Sequence, residues 1–432
     1  MSSPHRAILS AAVPLFLSMS AGIVAQLVST ALLGHRATAA LAAFALAGAV
    51  LNPVTAALAA GLRGMTPFVA PHRESPAEAL PILRDARWLT VALGAVGAGA
   101  VLCVPLIARA SGVPGEVTAE FGMLPPLLAL NVLLLSAGGG ANAVLIALGR
   151  SRQVLWSGLS STAVEVVLLL TLVPWLGVHG TGIALVASTA VAVTVSNACL
   201  LRVPGLAGQP LWPGRPRSRE ILSMARVGIP MSATVLIKFT VLGGLTYVAA
   251  RTGARGAAAH AILRSLAEFL ALTAFAVGQA SAPEIARAAS PAAARLVNRV
   301  ALLLAATGAV AGVLLPAFLG TFVVGLFTSD AEVLALVLTL VPLLAVHAVA
   351  NSCGIAMSAG LTGLRRPAWG LGSAVAGYGL LALIAAPVTA ARGLTGLWAA
   401  MAVTSVLILV LQGGGFLRHS ARVGAPAEPA RT

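Results

Sequence analysis

Apolar residues run through the chain in long stretches, broken at intervals by clusters of Arg, Pro and Gly. A helix that crosses a membrane needs about 20 predominantly apolar residues, and these stretches are long enough. The breaks predict twelve transmembrane helices, at 7–33, 38–65, 85–109, 118–147, 153–175, 178–201, 221–250, 256–281, 296–327, 331–360, 367–390 and 394–417. The first follows a short basic segment and is too long for a secretory signal core, so it reads as a retained helix. Pro14 and Pro230 are expected to start helices, and Pro53 to kink the second.

Composition strengthens this picture. Of 432 residues, 59% are hydrophobic and only 9% charged, with a mean hydropathy of +0.97. A soluble domain carries about 25% charged residues. This is an all-α integral membrane protein whose lipid-bilayer setting follows from its residues. Abundant Ala and Gly allow helix backbones to approach closely. The net charge of +15 would suggest nucleic acid in a soluble domain. Here the arginines concentrate in alternate short loops, so the charge sets topology and no nucleic-acid partner is expected. Arg63, Arg73, Arg84 and Arg87 fall on one side, with Arg202, Arg215, Arg217, Arg219 and Arg226. Only Arg36, Arg109, Arg251, Arg255 and Arg392 fall on the other. The expected protein is multi-pass in the plasma membrane, with both termini cytoplasmic. Cys103, Cys199 and Cys353 show neither metal-ligand nor disulfide spacing.

The longest polar connection, "RVPGLAGQPLWPGRPRSRE" at 202–220, sits halfway along the chain. It divides an N-terminal lobe of six helices (1–201) from a C-terminal lobe of six (221–417), with a cytoplasmic tail at 418–432. The lobes repeat at an offset of 216. "PLLALN" at 126–131 matches "PLLAVH" at 342–347, Pro14 matches Pro230, and Gly177 and Gly180 match Gly393 and Gly396. Six helices per repeat insert in the same orientation, the pseudo-symmetry of many secondary transporters.

"TALLGHRATAALAAFAL" (30–46), "GLRGMTPFVA" (61–70), "VGIPMSATVLIKF" (227–239) and "GARGAAAHAILRSLAEFLALTAFAVGQASAPEIA" (253–286) resemble segments of the multidrug and toxic compound extrusion (MATE) transporters. These belong to the multidrug/oligosaccharidyl-lipid/polysaccharide flippase superfamily. The resemblance implies a V-shaped twelve-helix antiporter that expels small organic compounds, driven by proton or sodium entry. It requires no cofactor and no metal centre. Many members carry Asp-Thr late in helix 1, where this chain has Ser29 and Thr30. Many carry Glu in helix 7, where this chain has Lys238, and the helix 8 Asp-Gly pair becomes Val277-Gly278. In helix 5 the Asn and Asp of some members become Ser161 and Glu165.

Glu165 and Glu268 are the acids in mid-run, and intramembrane ionisable residues mark functional sites by default. Glu165 is the expected proton carrier, with Ser161 one turn away as its hydrogen-bond donor. Lys238 and Glu268 share a depth on consecutive antiparallel helices, so they either pair or face the substrate cleft, for which both are candidates; Arg264, four residues from Glu268, competes for that acid. Ser29, Thr30, Asn52, Asn131 and His347 complete the candidate substrate cleft, with Asn131 and His347 as repeat counterparts. His260 reads as a packing residue. No catalytic triad, metal-ligand motif or phosphate loop is present, so an enzyme is not expected. The leading function is proton-coupled export of small amphipathic organic compounds by a monomer. A neutral Ser29 and a cationic Lys238 disfavour a sodium site. The alternatives are a flippase for a lipid-linked or anionic substrate, and a degenerate homologue that does not transport.

Overall fold

The structure, a computed structural model, describes residues 4–36, 38–209, 214–325, 327–328 and 330–424. Parts of the expected linker (210–213) and tail (425–432) lie outside the described residues. Among the described residues there are helices, turns and no strand. The long helices are α1 Pro4–Arg36, α2 Thr38–Arg63, α3 Leu80–Leu102, α4 Leu124–Ala147, α5 Ser151–Leu176, α6 Val178–Leu201, α7 Ser218–Ala250, α8 Ala254–Ala286, α9 Pro291–Phe318 and α10 Ala331–Gly363. The last, Pro367–Ser420, contains a non-helical Gly393, and we number its halves α11 (367–392) and α12 (394–420). Those helices are long and apolar enough to span a bilayer. In lipid every backbone polar group must be satisfied within the segment, which an α-helix achieves.

Several boundaries differ from expectation for local reasons. α3 stops at Leu102 and a short helix continues over Val104–Ala110, because Pro105 at its start has no N–H to give. α4 begins at Leu124, after Gly122 turns the chain with φ 37°. α9 ends at Phe318, where Leu319 leaves helical geometry (φ −115°, ψ 29°). Pro14 and Pro230 do not start helices; they lie inside α1 and α7. The residues before them are helical because they bury apolar side chains, Ile8 at 0% and Met224 at 2% exposure. Pro53 likewise lies inside α2.

The chain divides into two compact units, one spanning Val13–Leu236 and one built from Ile237 onward with the start of α1 up to Ala12. In the first, α5 packs on α6, and α4 on α3 and α6. In the second, α8 and α9 pack on α10, and α10 packs on the α11–α12 helix. The second unit's core gathers Leu263, Val337, Leu340, Leu344, Leu397 and Trp398, all at 0% exposure. Large apolar side chains also point outward, as lipid demands. Trp175 and Tyr247, 83% and 80% exposed, stand at helix ends where amphipathic rings favour the membrane interface.

The described parts of the connection after α6 are tied to the start of α3. Asp85, 2% exposed, accepts from Arg217 Nε at 2.7 Å and from its backbone N–H at 3.3 Å. Trp88 Nε1 donates to the Gly214 carbonyl at 3.0 Å. Val203 and Leu206 are buried beside it.

The repeat is visible in the backbone. Gly177, between α5 and α6, has φ 56° and ψ −131°; Gly393, between α11 and α12, has φ 59° and ψ −149°. Three residues on, a methyl on Gly180 would meet the Leu172 carbonyl, and one on Gly396 the Val388 carbonyl, again at the offset of 216. Only glycine tolerates both demands.

Candidate functional site

The first unit encloses a cavity of about 540 Å³ among α1, α2, α4, α5 and α6. Each helix supplies residues three or four apart, the spacing of one helical face. Gln26, Ser29 and Thr30 come from α1, Asn52 and Thr55 from α2, Leu128, Asn131 and Leu135 from α4. Glu165 and Leu169 come from α5, and Thr181, Leu185 and Thr189 from α6. Among these described lining residues Glu165 is the single ionisable group. Its hydroxyl partner is Ser188, whose one proton is shared between Oε2 at 3.2 Å and the Leu185 carbonyl at 3.0 Å. Beside it, Thr189 donates to Asn131 Oδ1 at 2.6 Å. Ser29 is buried at 4%, its hydroxyl without a protein partner, while Thr30 donates to the Gln26 carbonyl at 2.9 Å.

One expectation is corrected here. Ser161 does not serve Glu165; its hydroxyl donates back to the Gly158 carbonyl at 2.9 Å. Helical serines commonly spend their proton on the preceding turn. Ser188 and Thr189, which hold the two key polar groups, were not singled out from sequence. Their signal was a pair of hydroxyl residues, "ALVASTAVAV", in an otherwise apolar α6. Ser29, Thr30, Asn52, Asn131 and Glu165, proposed separately along the chain, do line one cavity.

In the second unit Lys238 does not pair with Glu268. Glu268 is bound by Arg264, one helical turn away, and Arg264 also donates to the Leu242 carbonyl at 3.1 Å. The i,i+4 spacing on α8 fixes that ion pair locally, whereas Lys238 would have to reach across from α7. Lys238 Nζ instead donates to Asn351 Oδ1 at 3.4 Å and lies 5.9 Å from the Phe275 ring centre. His347 Nδ1 and Ser405 Oγ are 2.9 Å apart in hydrogen-bonding geometry. Trp398 packs between His347 and His260, with ring centres at 5.8 and 5.9 Å. His260 is 1% exposed and packs as an interior residue.

The two units can now be compared position by position. Asn131–Thr189 in the first and His347–Ser405 in the second are the same pair, displaced by 216. Several other cavity positions have diverged. At that offset Glu165 becomes Leu381, Thr181 becomes Leu397 and Gly48 becomes Arg264. Leu381 and Leu397 belong to the buried core, so at those positions the second unit is filled where the first is open. Among the described residues no cluster of three or more His, Cys, Asp or Glu could hold a metal ion.

No protein-family model matches the chain. A curated relative, the probable multidrug resistance protein NorM of Aromatoleum aromaticum, is 28% identical over 436 residues, covering 90% of each chain. The fold is that of solved MATE transporters. The eukaryotic MATE transporter AtDTX14 aligns with a TM-score of 0.81 at 18% identity, covering 98% of each chain. The bent form of the Vibrio cholerae MATE transporter VcmN aligns with a TM-score of 0.82 at 16% identity, covering 97% of each chain.

Proposed function

We propose that this chain, which belongs to the MATE family of membrane transporters and is not an enzyme, exports small amphipathic organic compounds by proton-coupled antiport and alternating access. The observation that carries the reading is Glu165, the one ionisable side chain among the described residues of a polar cavity set between membrane-spanning helices. A carboxyl there can take up a proton and give it back. The Ser188 hydroxyl orients it. The cavity mixes hydroxyl and amide groups with Phe44, Leu128, Leu135 and Leu185. Its volume falls within the roughly 300–1,000 Å³ of small-molecule sites, and its mixed lining suits an amphipathic solute.

Proton is favoured over sodium. A sodium ion needs several converging oxygens, and here one carboxylate stands among neutral groups, with Asn131 Oδ1 already engaged by Thr189. Ser29, Thr30, Asn52 and Asn131 are assigned to the solute's path, and Ser161 to supporting α5. The division into lobes 1–201 and 221–417, joined by 202–220 and followed by the tail 418–432, is part of the same reading, as are the monomeric state and cytoplasmic termini in the plasma membrane. The arginine asymmetry of the loops supports that orientation.

The test is efflux of an amphipathic dye from proteoliposomes under an imposed pH gradient. Glu165→Gln is expected to lose gradient-driven efflux while melting like the wild type. Undiminished efflux by that variant would remove Glu165 from the coupling step. Efflux driven equally well by a sodium gradient at constant pH would overturn the choice of ion.

A further inference from the structure

Three charged side chains stand close together in the membrane-spanning part of the second unit. Lys238 on α7 is within electrostatic reach of both Glu268 and Arg264 on α8. Two cations face one anion, and Arg264 already holds Glu268. One positive charge is left over, on Lys238. It stands about 18 Å from the Ala250 end of α7 at 1.5 Å per residue, too deep for its stem to reach an interface. Its partners are neutral: the Asn351 carbonyl oxygen at 3.4 Å and the face of Phe275. An ammonium offers three donors, and the described contacts use one. Among the described residues no carboxylate lies within ion-pairing distance of it; Glu268 is held by Arg264. A charge placed in hydrocarbon is compensated or marks a ligand path.

We propose that Lys238 and Asn351 form a binding site for the carboxylate of an organic monoanion. Lys238 supplies the neutralising charge, and the Asn351 amide nitrogen supplies a second donor, so a two-oxygen group can be held at both ends. The surplus is a single charge, which balances a carboxylate and leaves a phosphate dianion half uncompensated. His347 lies one turn before Asn351 on α10, tied back to Ser405 and Trp398, and it walls the site without adding a carboxylate. At the repeat offset Lys238 corresponds to Gly22 and Asn351 to Leu135, so the site belongs to the second unit alone. The inference deepens the export reading by assigning a charge to part of the solute. Its test needs no gradient and no coupling ion, so its failure is separate from failure of the Glu165 step.

The experiment is calorimetric titration of the purified full-length protein in detergent with benzoate, benzyl alcohol, chloride and inorganic phosphate. Benzoate is expected to bind, with benzyl alcohol and both inorganic ions markedly weaker. Lys238→Met should abolish benzoate binding, and Lys238→Arg should keep it. The wild-type comparison of benzoate with benzyl alcohol decides even if Lys238→Met fails to fold. Equal binding of the acid and the alcohol, equal binding of chloride or phosphate, or unaltered binding in a folded Lys238→Met would each overturn the assignment.

Discussion

Ser188 and Thr189 are adjacent on α6, yet they serve different helices. One donates to Glu165 on α5 and the other to Asn131 on α4. Neighbouring residues on a helix point about 100° apart, so one dipeptide can address two walls of the cavity. Asn131 is 3% exposed, and its carbonyl depends on Thr189. Replacing Thr189 with Val keeps the shape and removes the donor. An unsatisfied buried acceptor costs about 1–3 kcal/mol, so Thr189→Val should lower the melting temperature measurably. Ser405→Ala, at the equivalent position in the second unit, should do less, since His347 keeps a second contact to the Met401 carbonyl at 3.5 Å. The sequence displayed Glu165 as an acid in an apolar run but gave no account of its donor. Ser161 was near in sequence, whereas Ser188 became near only when α5 and α6 packed together.

Whole elements are set by glycine and by one buried acid. Gly177 turns α5 into α6 with a backbone that side-chain-bearing residues rarely adopt. Gly177→Ala and Gly393→Ala should each cost about 1–3 kcal/mol, read as lower melting temperatures. A methyl on Gly64, at the end of α2, would lie 2.6 Å from the Gly228 Cα of α7. The obstacle is backbone and does not yield, so Gly64→Ala should force those helices apart and destabilise the first unit. The Asp85–Arg217 contact fastens the connection to α3. Asp85 holds the Arg217 guanidinium above its usual value, chiefly through their hydrogen bond. A raised basic group stabilises fully below its unfolded value and loses that contribution only as pH climbs through the folded one. The fastening therefore persists across neutral pH and weakens with salt, because Arg217 is half exposed. Asp85→Asn should speed tryptic cleavage after Arg217, with wild type as the reference.

At the scale of the molecule, one ancestral arrangement has been kept open in one unit and filled in the other. Trp398 and Leu381 occupy the places of Gly182 and Glu165. Trp398→Ala should therefore cost about 3–5 kcal/mol through the cavity it leaves, whereas a methyl added at Gly182 would press on Leu127 and Leu124 of α4 and should lower the melting temperature. Orientation is testable on the same scale. Trypsin should cut after Arg217 in inside-out vesicles and leave that bond intact in whole cells; the reverse would invert the topology.

The sequence by itself determined the helical membrane class, the repeat and the family resemblance. Those depend on the length of apolar runs, on glycine and proline at constant offset, and on arginine between runs, and none needs a tertiary contact to be read. It also brought out Ser29, Thr30, Asn52, Asn131 and Glu165 among the residues that line the cavity, because polar groups in hydrocarbon are conspicuous. Tertiary structure decided the partners. Whether Glu268 met Lys238 or Arg264 depended on competing reach, and the turn-to-turn contact on α8 prevailed over the crossing from α7. Whether a repeat position was open or filled depended on what stood opposite it. Spacing along one helix is fixed by the backbone, whereas a contact between helices exists only once they have packed.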